Sequence, residues 1–130
     1  MNRNSCYAYF GLAVTFDPAA ITLRVGVTPT RTRREGDRIP KTRLESKCSR
    51  WELHSRLPRT ASLESHIADV LDQLDTHEVL FKEISQEFGG VMELVGCFYD
   101  SYPGLLFDRN TVERLAKYAL TVDFDFYGWA

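Results

Sequence analysis

The hydrophobic residues of this 130-residue chain recur at two spacings. Hydrophobic residues at every second position are typical of a strand with one buried face, and a spacing of three or four residues is typical of an amphipathic helix. The first pattern predicts five strands, at residues 7–15, 50–55, 91–99, 105–107 and 121–127.

Residues that favour helix ends bound four segments with the second spacing. Aspartate, serine and threonine accept hydrogen bonds from the first N–H groups of a helix, and glycine readily adopts the left-handed conformation that ends one. The predicted N-caps are Asp17, Ser62, Thr76 and Asp108, and the predicted ends include Gly26 and Gly89. The side chains expected to face the core are Ile21, Leu23, Val25, Leu63, Ile67, Val70, Leu71, Leu74, Leu80, Phe81, Ile84, Phe88, Val112, Leu115, Ala116 and Ala119.

Two segments of the chain share one pattern. Phe16-Asp17 and Phe107-Asp108 each join a predicted strand to a capped helix, and an extended stretch follows each helix. The pattern predicts two β-α-β units, with a right-handed crossover if the strands of a unit are parallel. Two acidic helices, within residues 62–88, join the units. The expected fold class is therefore α+β, with a sheet of about five strands and helices packed on it.

The length of the chain fits a single α+β domain, residues 1–130. Residues 28–50 interrupt the pattern, since they are polar, basic and without hydrophobic periodicity. We expect a long basic loop there, and a loop of that length in a compact domain is often functional. The N-terminal run MNRNSCYAYFGLAV is interpreted as a strand rather than a signal peptide, because it lacks a small-residue cleavage pattern.

The composition limits the classes of protein to which the chain can belong. With 44% hydrophobic and 12% aromatic residues it can form a packed core and is not a disordered segment. No hydrophobic run approaches the ~20 residues of a membrane-spanning helix, so no membrane role is predicted. Three widely spaced cysteines without a CxxC motif indicate reduced thiols and a cytoplasmic location. Cys97 alternates with hydrophobic residues and is expected to lie in the core.

Charge is divided unevenly between the two halves of the chain. Residues 1–60 carry 12 Lys and Arg against 5 Asp and Glu, a net charge of +7, whereas residues 61–130 carry 4 against 13, a net charge of −9. Such a division indicates the kind of partner that a protein binds. The alternative is that the two halves neutralise each other within one folded unit.

A series of short stretches runs through the sequence. It comprises Tyr7-Ala8-Tyr9-Phe10, Phe16-Asp17-Pro18 with Ile21, GVTPTRT at 26–32, Gly36-Asp37, Trp51-Glu52-Leu53, the helix at 63–74, and the closing helix and strand to Phe126-Tyr127. In these stretches, which cover nearly the whole chain, the sequence resembles the bacterial family of domains of unknown function DUF4279. It departs from the family pattern at Arg33, where an aromatic residue is expected. The resemblance implies a small, bacterial, intracellular α+β domain, and some small domains of this kind look like immunity proteins, which silence a cognate toxin. It supplies no catalytic residues.

Residues suited to catalysis or metal binding are sparse. The histidines His54, His66 and His77 form no HxxxH or HExxH motif and are expected to be solvated. Neither a GxSxG elbow nor a glycine-rich phosphate loop is present. Asp123 and Asp125 project from one predicted strand face and are suited to acid–base chemistry or metal binding, although an exposed strand face is the favoured interpretation. We therefore predict no enzymatic activity, no metal and no cofactor.

The basic segment offers a site for nucleic acid. Arginine-rich flexible segments bind phosphates and release counterions, and the candidate contacts are Arg31, Arg33, Arg34, Arg38 and Arg43. The segment lacks the aromatic residues that stack on bases, and the pI near 5.9 is below that of most nucleic-acid-binding domains. A nucleic-acid-binding accessory domain is therefore the alternative function.

The acidic residues favour a protein partner instead. Immunity proteins use complementary charge to bind toxins quickly and selectively, and tyrosine and tryptophan are enriched where binding energy concentrates. The sequence predicts a non-enzymatic immunity protein that occludes the active site of a cognate bacterial toxin. The predicted contact residues are Glu64, Asp72, Asp75, Glu83, Glu87, Asp123, Asp125, Tyr127 and Trp129.

Overall fold

The computed structural model describes residues 3–13, 15–99 and 101–128. It contains, in chain order, β1 (Ser5–Leu12), α1 (Pro18–Val25), β2 (Arg31–Arg33), β3 (Arg50–His54), α2 (Leu63–Asp75), α3 (Glu78–Phe88), β4 (Val91–Phe98), α4 (Arg109–Lys117) and β5 (Thr121–Gly128). The expected α+β class with a five-stranded sheet is confirmed. The predicted strand at 105–107 is wrong, because these residues form an irregular segment that packs Leu105 and Phe107 against the core.

The strands form one mixed sheet in the order β2-β3-β1-β4-β5. β4 and β5 are parallel neighbours joined through α4, which makes them one β-α-β unit. β1 and β2 are each antiparallel to β3, which lies between them. They are therefore parallel to each other, and β1-α1-β2 is the second predicted unit, split by an inserted strand.

Capping residues fix most helix ends where the sequence places them. Asp17 accepts a hydrogen bond from the Ala19 N–H, and Gly26 ends α1 in the left-handed conformation with φ at 70°. Ser62 and Asp108 likewise cap α2 and α4, and Gly89 ends α3. Thr76 was predicted as the N-cap of the third helix and is instead the C-cap of α2, where its hydroxyl donates to the Gln73 carbonyl, while His77 precedes α3.

The hydrophobic core lies on one face of the sheet. Its centre combines Phe10 of β1, Trp51 of β3 and Leu94 of β4 with residues from all four helices. The predicted stripe of α2 is confirmed, since every one of its members is buried. The side chains that were expected in the core but lie exposed are Leu23, Leu80, Val112, Ala116 and Ala119. The first four sit on the short helices α1 and α4 and on the outer side of α3, where each helix has a single contact face, and Ala119 lies in the turn that follows α4.

The basic segment 28–50 is more ordered than its sequence suggests. It contributes β2, and residues 34–49 then form an excursion that returns to the start of β3. The excursion is closed by backbone hydrogen bonds between Gly36 and Ser46 and between Ser46 and Asp37. An ion pair of 2.9 Å between Arg34 and Asp17 ties it to the start of α1. The sequence predicted an extended stretch after α1 but did not place a strand at Arg31–Arg33, because these three residues have no hydrophobic alternation.

The second face of the sheet carries no helix in the described parts of the chain, since the buried residues of all four helices belong to the core on the first face. Cys97 points toward this second face between the buried Gly96 and Phe98, so its predicted place in the core is wrong. None of the described helices is both long and hydrophobic enough to cross a membrane.

Candidate functional site

The helix-free side of the sheet, called here the open face, brings together charged and aromatic residues from all five strands. Directly paired residues point to the same side of a sheet, so the strand register identifies the members of this face. They are Tyr7 and Tyr9 of β1, Arg31 and Arg33 of β2, Arg50, Glu52 and His54 of β3, Glu93, Val95 and Cys97 of β4, and Asp123, Asp125 and Tyr127 of β5.

Three stacked rings occupy the middle of the open face. The His54 ring lies 4.7 Å from the Tyr9 ring and 5.6 Å from the Tyr7 ring, centroid to centroid, and is nearly parallel to both. The guanidinium of Arg59 sits 4.1 Å from the centroid of the Tyr7 ring, a distance that suits a cation–π contact. The cluster is a rigid aromatic surface, because each ring is held by its neighbours.

Glu52 is buried although it faces away from the core. Only 4% of its surface is exposed, and its Oε1 lies 2.8 Å from Nε2 of His54. Arg50 lies 3.9 Å from its second oxygen. Alternation along β3 directs Glu52 and His54 to the side opposite the buried Trp51 and Leu53. The burial of Glu52 depends on neighbours far along the chain, since it is paired with Arg31 of β2 and with Gly11 of β1, next to which the Tyr9 ring lies.

An acidic edge, formed by Glu93, Asp123 and Asp125, lies on the β4–β5 side of the open face. Glu93 is paired directly with Asp123, and Val95 with Asp125. Partial burial, followed by the hydrogen bond and negative charge of Asp123, raises the pKa of Glu93 to about 8. A hydrogen bond with Asp125 raises the pKa of Tyr127. Near neutral pH, Glu93 is therefore largely protonated beside the carboxylate of Asp123.

The raised pKa of Glu93 makes stability depend on pH. Since this pKa exceeds the ordinary value of 4.5, the folded state binds the proton more tightly, and its stabilisation is lost as the pH rises from about 4.5 to about 8. We expect Glu93→Gln to raise the free energy of unfolding at pH 8.5 by roughly 1–2 kcal/mol, allowing for solvent screening, and to change little at pH 4.5. Urea unfolding at both pH values measures this, with Glu113→Gln on α4 as the control. An equal effect of Glu93→Gln at both pH values would contradict the raised pKa of Glu93.

Three arginines form a basic edge on the opposite side of the open face. Arg33 is paired directly with Arg50, and Arg31 with Glu52. The other predicted nucleic-acid contacts are separated from these: Arg34 pairs with Asp17, Arg38 lies in a β-bridge opposite Glu45, and Arg43 is exposed in the excursion. The sequence did not identify Arg50, because its place beside Arg33 depends on strand register.

The predicted acidic helices are largely neutralised within the molecule. Arg114 of α4 lies 2.8 Å from Asp72 and 2.9 Å from Asp75, and Lys117 lies 3.3 Å from Asp75. Asp75 also accepts a hydrogen bond from the buried Tyr118. These cationic neighbours and hydrogen bonds lower the pKa of Asp75 despite the opposing effect of partial burial. The helix surface is therefore less negative than its sequence suggests.

Three further predicted contact residues are dispersed. Glu87 forms a 2.8 Å ion pair with Arg24 of α1, and Glu83 is exposed on α3. Glu64 accepts a 3.4 Å hydrogen bond from the Leu106 N–H and lines a cavity of about 340 Å³ at the N-terminus of α2. Trp129 lies outside the described residues.

Histidine and carboxylate placement bears on the possibility of catalysis. His66 was expected in solvent, but it is fully buried, and its Nδ1 lies 2.7 Å from the Ser55 hydroxyl oxygen. Burial lowers the pKa of His66. The Ser55 oxygen accepts from the Ala8 N–H, so this serine–histidine pair joins β1, the residue that follows β3, and α2. Among the described residues, no group of three or more His, Cys, Asp and Glu side chains is arranged to hold a metal ion.

Comparison with known proteins identifies a family but no characterised relative. The model of the family described as "Domain of unknown function (DUF4279)" matches residues 4–129. No curated protein and no solved structure matches the chain.

Proposed function

This chain belongs to the DUF4279 family of domains of unknown function, and we propose that it is a non-enzymatic protein-binding domain. In its most specific form, the proposal is that the chain is a cytoplasmic bacterial immunity protein. It binds a cognate toxin and blocks the toxin's active site. The proposed contact surface is the acidic edge of the open face together with Tyr127, and no cofactor takes part.

The observation that carries this proposal is a sheet face without a covering helix in the described chain, with two aspartates at one edge. Asp123 and Asp125 lie on β5 beside the protonated Glu93 of β4, and 50% of the surface of Tyr127 is exposed next to them. A rigid sheet holds these groups in place before binding, which reduces the entropy lost on association. Complementary charge accelerates the encounter with a basic partner and disfavours acidic ones.

The helices are a weaker choice for the same role. Asp72 and Asp75 are engaged by Arg114 and Lys117, so a partner's cations would have to compete with internal ones. Toxins that act on nucleic acids or nucleotides need basic clefts to hold phosphate groups. An acidic sheet edge fits such a cleft, which is why a toxin of that class is the proposed partner.

The test begins with a tagged pull-down from nuclease-treated lysate of the native organism, at about 150 mM salt. We then expect the double variant Asp123→Lys/Asp125→Lys to bind the captured protein at least about tenfold more slowly, with a reduced dependence of the rate on salt. The matched control, Glu83→Lys/Glu113→Lys, makes the same change in net charge on exposed helix positions and should change the rate less than about threefold.

Two results would overturn the proposal. One is an unchanged association rate for Asp123→Lys/Asp125→Lys. The other is the absence of any stoichiometric protein after nuclease treatment. Loss of the toxin's activity in the complex, measured on its own substrate, separates an immunity protein from another kind of binding domain.

The basic edge supports a second candidate, binding of nucleic acid. Arg31, Arg33 and Arg50 share one side of the open face beside the aromatic cluster, a combination that binds phosphates and bases. If nucleic acid is the ligand, Arg31→Ala/Arg33→Ala should reduce the slope of log affinity against log salt by about 1.4–1.8 for two lost phosphate contacts. Fluorescence anisotropy with single-stranded RNA and DNA measures it, and an absence of binding at 50 mM salt would exclude this candidate.

A further inference from the structure

The backbone groups on the outer edge of β5 have no backbone hydrogen-bond partner among residues 3–13, 15–99 and 101–128. β5 is eight residues long and stands at the end of the sheet, with no strand of the described chain on its outer side. The Thr121 N–H donates to the Gly90 carbonyl at the start of β4. Backbone groups alternate in direction along a strand, so those of Val122, Phe124 and Phe126 point outward, away from β4.

The two sides of this edge differ in chemistry. On the open face β5 presents Asp123, Asp125 and Tyr127. On the helix side it presents Phe124 and Phe126, of which 51% and 37% are exposed. Phe107 stacks against Phe124 at 6.3 Å, and Phe98 meets Phe126 at 5.1 Å, so both rings are held in place but not covered.

We propose that β5 is a docking strand, to which the protein partner adds an extended segment of alternating cationic and hydrophobic residues. This inference rests on the proposed function and specifies its partner. The cations of the added segment lie over Asp123 and Asp125, its hydrophobic side chains lie over Phe124 and Phe126, and its backbone pairs with the outward groups of β5. Strand addition of this kind takes its affinity from the backbone and its specificity from alternate side chains.

The charges of β5 disfavour a second copy as the occupant. Antiparallel pairing of two β5 edges around a two-fold axis sets the aspartates of one copy near those of the other, and like charges across strands are destabilising. The other edge of the sheet, β2, has the complementary pattern in Arg31 and Arg33. It is only three residues long, so it covers less than half of β5. Charged residues on an edge strand protect it from self-association, and here they leave it open to a basic segment.

The test uses an eight-residue synthetic peptide in which lysine and valine alternate, with blocked ends. Two derivatives carry N-methyl groups, one on every valine and the other on every lysine, so that each loses the N–H groups on one side of the strand. We expect the parent peptide to bind at 50 mM salt. One derivative should bind at least about tenfold more weakly than the parent, and the other should bind about as tightly as the parent. The derivative that fails also reports whether the added strand is antiparallel or parallel, because the inward N–H groups belong to different residues in the two arrangements.

Variants of the protein provide an independent measurement. Phe124→Pro removes an outward N–H, and proline is tolerated at edge positions of that kind, while Phe124→Ala removes the ring alone. We expect Phe124→Pro to bind the parent peptide at least about tenfold more weakly than Phe124→Ala, with circular dichroism confirming that both fold. The N-methylated peptides test the same contact on the unaltered protein if Phe124→Pro does not fold.

The possible results separate this inference from the proposed function. Failure of the parent peptide to bind, or equal binding by both N-methylated peptides, overturns strand addition. In another outcome, the captured partner binds Asp123→Lys/Asp125→Lys more slowly and yet binds Phe124→Pro as tightly as Phe124→Ala. That result would support the proposed function and overturn the docking strand. Concentration-dependent self-association in sedimentation, abolished by Phe124→Pro, would make a second copy the occupant and would also overturn the inference.

Discussion

Trp51→Ala is expected to lower the free energy of unfolding by about 3–5 kcal/mol, the largest effect of any single substitution considered. Trp51 is fully buried and contacts Phe10 at 6.1 Å and Phe81 at 6.0 Å between ring centroids. It thus joins β1, β3 and α3 at the centre of the core. Its removal leaves a cavity that the surrounding sheet and helix cannot readily fill.

The indole N–H of Trp51 provides a control for this prediction. It donates a 3.0 Å hydrogen bond to the Thr22 hydroxyl, which ties β3 to α1. Thr22→Val preserves the shape of the side chain but leaves the N–H without its acceptor, at an expected cost of about 1–3 kcal/mol. The free energy of unfolding of both variants is measured in urea by far-ultraviolet circular dichroism, which does not rely on tryptophan fluorescence. A cost for Trp51→Ala below that of Thr22→Val would mean that packing around the ring is not what stabilises this core.

Trp51 also affects the open face, the proposed binding surface, because of the geometry of β3. Glu52 and His54 lie on β3 with Trp51, and their side chains point to the open face because neighbours along a strand alternate. The anchored indole therefore fixes the position of β3 relative to β1, and with it the contact between His54 and the two tyrosines. Stability and the geometry of the open face thus depend on the same strand.

The sequence predicted the features of the fold that arise locally. Asp17, Ser62 and Asp108 cap helices through hydrogen bonds that span two or three residues, and the alternation of Trp51 and Leu53 depends on one strand alone. The features it missed need partners far along the chain. β2 exists because it pairs with β3, and Thr76 caps the end of α2 instead of the start of α3 because a short junction at His77 separates the two helices.

The candidate site was also predicted where it depends on a local pattern and missed where it depends on residues far apart in the chain. Asp123 and Asp125 were predicted from alternation along β5, but Glu93 joins them through a pairing across thirty residues that no local pattern reveals. Conversely, Asp72 and Asp75 looked like a free acidic surface because Arg114 is some forty residues away in sequence and 2.8–2.9 Å away in space. Charge counts along a chain therefore overestimate the surface charge where helices from different segments pack together.

The basic first half and the acidic second half of the chain supply opposite edges of the open face. The basic edge comes from β2 and β3, and the acidic edge from β4 and β5, with the aromatic cluster of β1 and β3 between them. The strand order keeps the two groups of charge apart instead of pairing them. A face divided in this way specifies the orientation of a charged partner, because only one orientation matches both edges. This favours a dedicated protein partner over a general attraction to polyanions.

Gly90→Ala is the substitution with the second largest expected effect, about 2–3 kcal/mol of lost stability from overpacking. A Cβ at Gly90 would lie 2.9 Å from Cβ of Ser85 and 2.9 Å from Cε1 of Phe10, and closer still to the Ser85 hydroxyl. Ser85 and Phe10 are themselves buried, so neither can move into solvent. The Gly90 carbonyl also accepts the Thr121 N–H, so a shift of this residue disturbs the start of the β4–β5 pairing that positions the acidic edge.

The adjacent Gly89 is a matched control for Gly90. Gly89 has φ at 71° but nothing within 4 Å of the added Cβ, so Gly89→Ala suffers backbone strain alone, at about 1 kcal/mol. Urea midpoints of the two variants should therefore differ, with Gly90→Ala the less stable, and Ser85→Gly in the Gly90→Ala background should recover part of the loss because it removes both serine contacts. Equal midpoints would show that the junction between α3 and β4 relaxes around a methyl group. In that case the close packing of Gly90 against Ser85 and Phe10 would not be what holds the acidic edge in register.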